Sequence, residues 1–535
     1  MPLTSTPDAT HKRVPVRSIL TGLLMGLLVA MLSSSIVSTS LPRIVADVGG
    51  TQSTLTWMVT GSLLAITVTT PVWGKLADLL SRRGLVVAAL GIFIIGSAVS
   101  GVAVEPITMI AGRIIQGAGS GGLLTLTQVV LAEIISPRDR GKYMGLFGSV
   151  MAMGTIGGPV LGGLITDVFG WRWNFLAMIP IAVISLIVVL LTLKLPARHG
   201  TVIIDYAGAL LISAGVSGIL VWASLGGSEF EWMSGTSALL LGGSALILVL
   251  VVLVEARVKE PIIPLKLFRN KGFVLTVIAS LSVGVATYGT AVFMSQYLQL
   301  ARGASTTESG LIALPQVIAV TLSSTLVGAL ISKSGNWKPW MVTGASSLLI
   351  GTTLLGTIGL ETPMHFLWVY MALVGAGIGC IMQNLVLMAE ANVDPREVGV
   401  ATAGVAFFRS LGGTFGVTIL GAVLTWQAKS IVLDNRGALK ASGINANDVD
   451  ITRISDVGSL AEPLRGVVQA AYAAGAASAF MFSVPLAICT VLAIVFLPSK
   501  KLSEKTRAER LAEIEETAAP AETTGAAPSS RIPRQ

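Results

Sequence analysis

The sequence contains few charged, aromatic and histidine residues for its length. Of 535 residues, 12% are Asp, Glu, Lys or Arg and 6% are Phe, Trp or Tyr, and there are three histidines and two cysteines. Soluble globular proteins carry about 25% charged residues, so this deficit excludes an ordinary soluble protein. Cys380 and Cys489 lie within apolar runs, where we interpret them as small core residues rather than as a disulfide or metal site.

The shortage of acids and histidines within apolar segments argues against catalysis. His11, His199 and His365 lie in predicted tails or loops, and no paired acids occur within the apolar runs. Membrane-embedded transferases and hydrolases need paired acids, a metal set or an activated nucleophile. The phosphate-binding loop G-x-x-x-x-G-K-S/T is also absent. We therefore predict no enzyme, cofactor or metal site, with a membrane-embedded enzyme as a remote alternative.

Long apolar segments dominate what is present, since hydrophobic residues make up 53% of the chain. A membrane-crossing helix needs about 20 mostly apolar residues, and this criterion predicts an all-α integral membrane protein with fourteen spans. The spans cover residues 18–41, 55–72, 84–104, 107–131, 145–168, 175–195, 206–225, 237–254, 272–298, 309–331, 340–358, 366–388, 398–426 and 470–497.

Lysine and arginine are distributed unevenly over the loops between these spans. Alternate short loops hold sixteen of them, whereas the opposite short loops hold only Arg43, Arg172 and Arg302. Basic loops stay in the cytoplasm, so both termini are predicted to be cytoplasmic and the protein to lie in a cell inner or plasma membrane. The basic residues of the cytoplasmic loops thereby explain the net charge of +8. We predict the lipid bilayer and a small molecule as partners, with no nucleic acid and no obligate protein partner.

The loop between spans two and three has a distinctive order of residues. It reads GKLADLLSRR, with Gly74, Asp78, Arg82 and Arg83 at its marked positions. Glycine permits a tight turn, and an aspartate can cap a helix or pair with arginine.

Span four contains an arginine where the membrane makes charge costly. Arg113 and Gln116 are three residues apart and therefore share one helix face. An arginine at this depth should face a cavity or a partner.

Span five contains the cluster GTIGGPVLGG. Membrane helices tolerate proline and glycine because neighbouring groups satisfy the freed backbone, and small residues let helices approach closely in lipid. The cluster comprises Gly154, Gly158, Pro159, Gly162 and Gly163.

These motifs resemble those of the major facilitator superfamily, and most closely its fourteen-helix drug:proton antiporters. The loop after span two is similar to the superfamily signature, although Leu79 and Ser81 depart from it, and the FGWRWNF segment at 169–175 is similar to the outer loop of that family. The resemblance implies that the 74–83 loop is a cytoplasmic latch, that Arg113 serves proton coupling, and that the 154–163 segment is the antiporter motif.

The resemblance also implies an architecture and a function. Two six-helix bundles, with two extra helices between them, would export small amphipathic compounds such as drugs or antibiotics by alternating access, in exchange for protons. A dedicated metabolite exporter and a facilitator without proton coupling are the alternatives. The predicted divisions are an N-terminal tail at 1–17, bundles at 18–195 and 261–497, a two-helix linker at 196–260, an outer loop at 428–466 and a largely disordered cytoplasmic tail at 498–535.

One position departs from the family in a way that bears on mechanism. The family aspartate of the first span falls on Ser33, and serine does not titrate in the relevant pH range. Arg409, in contrast, lies well inside span thirteen. The two buried arginines either line a wet cavity that attracts an anionic, zwitterionic or polar substrate, or bond to rim acids, carbonyls and the serine-rich first helix. The predicted substrate and coupling cavity comprises Ser33, Ser34, Arg113, Gln116, Gln296, Gln299, Gln383, Asn384 and Arg409.

Overall fold

The computed structural model describes most of the chain. The described residues are 16–50, 52–193, 206–226, 230–258, 264–304, 306–441, 444, 457, 460–499, 509 and 513. The predicted N-terminal tail up to residue 15, the connection at 194–205 and most of the predicted C-terminal tail lie outside them. Within the described part the chain is all-helical and has no β-strand, only an isolated bridge between Gly226 and Phe230.

The described residues form seventeen α-helices in chain order. They are α1 Val16–Asp47, α2 Gln52–Leu79, α3 Arg82–Gly101, α4 Pro106–Ile134, α5 Pro137–Phe169, α6 Trp173–Leu176, α7 Met178–Thr192, α8 Tyr206–Leu225, α9 Gly235–Glu255, α10 Lys271–Gln296, α11 Thr306–Ile312, α12 Leu314–Ser334, α13 Lys338–Leu355, α14 Met364–Asn392, α15 Val398–Asp434, α16 Arg436–Ala441 and α17 Leu464–Phe496. A π-helical turn, Tyr297–Ala301, continues α10.

Every predicted span coincides with a helix or with two consecutive helices. The pair α6–α7 covers the sixth span and the pair α11–α12 covers the tenth. Ten helical segments of the described chain are long and apolar enough to cross a membrane, judged by length and composition; they are α1, α3, α4, α6–α7, α9, α10 with its π turn, α11–α12, α14, α15 and α17. The chain is therefore built as a multi-pass membrane protein.

Several helices run beyond the predicted spans. The first, α1, continues to Asp47, and α15 continues to Asp434. The predicted outer loop at 428–466 is consequently bordered by helix on both sides and contains α16, whose Leu439 is buried in the core of the second bundle. Apolar composition marks only the part of a helix that lies in lipid, whereas backbone hydrogen bonding continues into polar residues.

The helices form two bundles and a bridging pair. Helices α1 to α4 and α7 share one apolar core, and α10 to α17 share a second. Helix α8 packs against both bundles, on α2 and on α15, and α9 packs on α8. Ile212 of α8 and Val251 of α9 share one apolar cluster with Phe407 of α15. We call the end at which α2 ends and α15 begins the basic end, because the lysine- and arginine-rich loops were predicted there.

Helix α5 lies close against α1 through the glycines of the predicted antiporter motif. A Cβ added at Gly154 would lie 2.5 Å from Cβ of Met31, and one added at Gly158 would lie 2.2 Å from Cβ of Ser35. Gly162 is also buried, and the helix runs through Pro159 and Gly163 without a break. Only glycine permits this approach of the two backbones at positions 154 and 158.

At the opposite end, the segment after α5 is tied to α1. Gly170 turns the chain with φ of 88°, a value that favours glycine. Asp47 accepts hydrogen bonds from Nη1 of Arg172 at 2.7 Å and from Nε1 of Trp171 at 3.0 Å. These two bonds hold the pKa of Asp47 below its ordinary value, and the bond from Arg172 has the larger effect.

The contact between α1 and α5 predicts different outcomes for two neighbouring substitutions. Gly158→Ala should lower the melting temperature, because a methyl group overpacks this contact at a cost of about 1–3 kcal/mol. Gly157→Ala should leave it nearly unchanged, because its added Cβ would meet only Cδ1 of Leu32 at 3.9 Å. Thermal unfolding of both variants in detergent measures the difference, and equal melting temperatures would contradict the packing described here.

Candidate functional site

Four buried polar side chains from three helices of the first bundle meet around Gln116. Nη1 of Arg113 donates to Oε1 of Gln116 at 2.5 Å. Nε2 of Gln116 donates to Oγ of Ser33 on α1 at 2.9 Å and to Oγ of Ser97 on α3 at 2.8 Å. We call Ser33, Ser97, Arg113 and Gln116 the α4 polar cluster.

Close packing between α3 and α4 brings Ser97 into this cluster. A Cβ added at Gly96 would lie 2.3 Å from the backbone nitrogen of Gln116, so the two helices touch at that point. Ser97 is not among the cavity residues predicted from the sequence. The adjacent small residues Gly96 and Ser97 within an apolar span are the only sequence signal that indicates it.

The α4 polar cluster holds its positive charge with neutral partners. The side chain of Arg113 is 4% exposed, and its Nε has no hydrogen-bond partner among the described residues. Gln116 accepts from the guanidinium and donates to both serines, so it links the charge to α1 and α3. Arg113 is thus connected to the serine-rich first helix through Gln116.

Arg409 is placed differently, at the junction of the two bundles. The hydroxyl groups of the next residue, Ser410, and of Thr67 on α2 lie 2.9 Å apart. A Cβ added at Gly284 of α10 would lie 2.0 Å from the carbonyl oxygen of Arg409. The Arg409 side chain is 8% exposed, and its Nη1 has no hydrogen-bond partner among the described residues.

The other predicted cavity residues do not join the α4 polar cluster. Nε2 of Gln383 lies 3.9 Å from Sδ of Met151 across the two bundles. Asn384 donates to the carbonyl of Cys380 on its own helix at 2.7 Å, and Gln299 donates to Ser295 at 2.8 Å. The remaining two, Ser34 and Gln296, are half-buried.

At the basic end, Asp78 connects the two bundles. Its Oδ1 accepts from the backbone N–H of Gly399 at 3.0 Å and its Oδ2 accepts from that of Val400 at 2.9 Å. These N–H groups belong to the first turn of α15, where they have no partner within their own helix and where the helix dipole favours an anion. Gly74 permits the approach, since an added Cβ would lie 2.8 Å from the carbonyl of Gly399. We call this contact of Gly74 and Asp78 with α15 the latch.

The two arginines of the same motif make contacts within the first bundle. Nη2 of Arg82 lies 3.7 Å from Oε2 of Glu133 on α4, and both side chains are largely buried. Nη2 of Arg83 donates to the carbonyl of Leu190 near the end of α7 at 2.7 Å. The predicted loop and tight turn at Gly74 are wrong, because α2 continues as helix to Leu79 and α3 begins at Arg82. The contacts of Arg82 and Arg83 hold the end of α2 and the start of α3 to their own bundle.

A second acid, Glu397, lies near the latch, and its surroundings disfavour its charged form. Burial raises the pKa of Glu397 above its ordinary value, and the nearby carboxylates of Asp394 and Asp78 raise it further, while Lys266 and Lys75 oppose the shift. The charged form of Glu397 is therefore disfavoured while the latch is closed.

An apolar cavity lies apart from these polar groups. It has a volume of about 520 Å³ and is lined by residues of α8, α15 and the segment before α9, including Trp222, Trp232, Phe415 and Trp426. It contains none of the predicted site residues. Among the described residues no group of His, Cys, Asp or Glu is arranged to hold a metal ion.

Comparisons with known proteins agree with the fold and with the sequence motifs. The chain is 34% identical over 420 residues to multidrug transporter protein MdtP of Bacillus subtilis, covering 78% of this chain and 76% of that protein. It is 29% identical over 504 residues to multidrug resistance protein 3 of the same organism, covering 94% and 98%.

A solved structure shares the architecture at low identity. The proton:xylose symporter XylE superposes with a TM-score of 0.59 and 16% identity, covering 93% of this chain and 98% of that one. The sequence profile described as Major Facilitator Superfamily matches residues 23–417. The family resemblance of the motifs is thereby confirmed. The chain belongs to the Major Facilitator Superfamily, and it is a membrane transporter rather than an enzyme.

Proposed function

We propose that this transporter exports small amphipathic compounds, drugs among them, by alternating access in exchange for protons. The observation that carries the proposal is the latch, a contact between the two bundles made of hydrogen bonds that can be broken and remade. The names of the two Bacillus relatives, a multidrug transporter and a multidrug resistance protein, support the substrate class.

The proposal includes a topology. Fourteen segments cross the plasma or inner membrane, as two six-helix bundles joined by α8 and α9, and the basic end and both termini face the cytoplasm. The lysine- and arginine-rich loops support this orientation. In this orientation the closed latch seals the cytoplasmic side, so that bound substrate leaves outward.

Proton exchange requires a titratable group. The positions of the acidic residues suggest which group carries the proton. The fourteen predicted spans contain one acidic residue, Asp167, near the outer end of span five. At the basic end, however, Asp78 holds the latch and Glu397 lies beside it. We propose that protonation of Asp78 weakens its two hydrogen bonds and opens the cytoplasmic side. The serine at position 33 favours the alternative, a facilitator without proton coupling.

Purified protein in proteoliposomes distinguishes these two functions. A pH-sensitive dye inside the vesicles reports protons while labelled drugs of positive, neutral and negative charge are supplied. Proton movement opposite to substrate, abolished by an uncoupler, is the expected result. Substrate flux with no proton movement would establish the facilitator, and no flux of any compound would contradict the exporter.

Removal of the latch charge should favour the cytoplasm-open conformation. Asp78→Asn loses one acceptor and the negative charge, and a hydrogen bond to a charged group contributes about 1.5–3 kcal/mol. Opening of the cytoplasmic side is followed by alkylation of a cysteine placed at position 324 (Ser324→Cys), in a chain from which Cys380 and Cys489 have been removed. Ser324 is suitable because it is buried on α12 beside Gly148 of α5, at the contact between the two bundles. We expect Asp78→Asn to accelerate alkylation of this cysteine, by a reagent added at the basic end, about tenfold or more.

The matched control is Asp434→Asn, which removes an exposed acid at the other end of α15. It should leave the labelling rate unchanged. An Asp78→Asn rate equal to that of the parent would contradict the role of the latch.

The raised pKa of Glu397 predicts that the closed latch depends on pH. As pH rises through this raised value, Glu397 must ionise while buried beside Asp78, so the closed latch loses stability relative to the open one. Glu397→Gln removes this loss. The labelling rates of Glu397→Gln and of the parent are measured at each pH with the same Ser324→Cys reporter. The Glu397→Gln rate divided by the parent rate should fall as pH rises above about 4.5, the ordinary pKa of glutamate. A ratio that does not change with pH would refute the interaction.

A further inference from the structure

We infer that the guanidinium group of Arg409 binds the anionic group of the exported compound, and that the preferred substrates are amphipathic organic anions. The inference rests on the proposed export function and specifies the charge of its substrate. It concerns Arg409 alone, because Arg113 already has a partner in Gln116.

Arg409 places a positive charge in the interior of the protein, where its side chain is 8% exposed. Nη1 of the Arg409 guanidinium is buried and has no hydrogen-bond partner among the described residues, and none of the ion pairs found between described residues involves Arg409. A buried charge without a partner is strongly unfavourable. The sequence supplies no acid at comparable depth, since Asp167 near the end of span five is the only acid in the predicted spans. An anion from outside the protein would supply the missing counter-charge.

Arg409 is positioned where a transporter of this architecture would hold its substrate. It lies eleven residues after Val398, the first residue of α15, which at 1.5 Å per residue is about 16 Å along the helix. The hydrocarbon core is about 30 Å thick, so this depth is near its middle. The contact of Ser410 with Thr67 of α2 puts the same turn at the boundary between the bundles, where an alternating-access transporter holds its substrate.

An exposed aromatic side chain lies near Arg409. The Tyr288 side chain of α10 is 43% exposed, and its ring lies against Gly413, one helical turn after Arg409, where an added Cβ would be 2.3 Å away. A guanidinium beside an accessible aromatic ring suits a molecule with an oxyanion and an apolar body. Carboxylates, sulfonates and phosphates match the paired N–H groups of arginine, whereas an ammonium group would be repelled.

The test begins with a set of three probes that share one ring system. Binding of 1-naphthoate, 1-naphthylmethylammonium and 1-naphthylmethanol to the full chain in nanodiscs is measured by calorimetry. We expect the carboxylate to bind most tightly. Arg409→Gln should weaken its binding about tenfold or more, and Arg409→Lys should weaken it less, because lysine keeps the charge but not the fork of donors.

A stability measurement separates ligand binding from a structural role. Without ligand, Arg409→Met should raise the melting temperature, because it removes a buried charge that has no partner. An arginine needed for packing would give the opposite sign. The control Arg436→Gln removes one positive charge from an exposed position in α16, and it should change neither the melting temperature nor the binding of the carboxylate.

The outcomes separate this inference from the proposed function. Equal or tighter binding of the ammonium probe, or carboxylate binding unchanged in Arg409→Gln, would overturn the anion site, while outward transport of the ammonium probe would leave the exporter intact. A lower melting temperature of Arg409→Met would assign the arginine to structure and would also overturn the inference. Carboxylate binding that depends on Arg409, without transport of any drug, would support the site and refute the exporter.

Discussion

Close approach of helix backbones at glycine is the constraint on which the arrangement depends. Lipid provides no hydrophobic force between helices, so they associate through direct contact of their surfaces. Within the first bundle this contact joins α5 to α1 at Gly158, and between the bundles it joins α2 to α15 at Gly74. The second contact brings Asp78 within hydrogen-bond distance of the amides of α15. A side chain at position 74 would separate the helices and remove the latch.

The cost of charge in hydrocarbon is met in two different ways. Arg113 is linked through Gln116 to two serines, so its charge is distributed over hydrogen bonds inside one bundle. Arg409 has no such partner among the described residues and lies between the bundles. A transporter can retain an unfavourable charge at its binding site because the bound ligand compensates for it, and stability is often lower at functional sites for this reason.

The latch combines favourable and unfavourable interactions, as the reversible contact that we propose requires. The carboxylate of Asp78 is stabilised by the first turn of α15, while Glu397 is disfavoured by burial and by Asp78 itself. A contact with a large favourable net free energy would hold the bundles in one conformation. A small net difference allows a ligand or a proton to change the populations, because a shift can only be as large as the difference in affinity between the two states.

The sequence by itself determined the all-helical class, the position of every long helix and the family, because apolar length and short motifs are local properties of the chain. It did not predict that α15 continues to Asp434, since polar residues extend a helix without an apolar signal. Nor did it predict that Ser97 meets Gln116 or that Arg83 bonds to Leu190. Tertiary structure alone decided that Gln116 links Arg113 to serines of α1 and α3, whereas Nη1 of Arg409 has no hydrogen-bond partner among the described residues. The partners of a buried charge depend on which helices pack together rather than on neighbours along the chain.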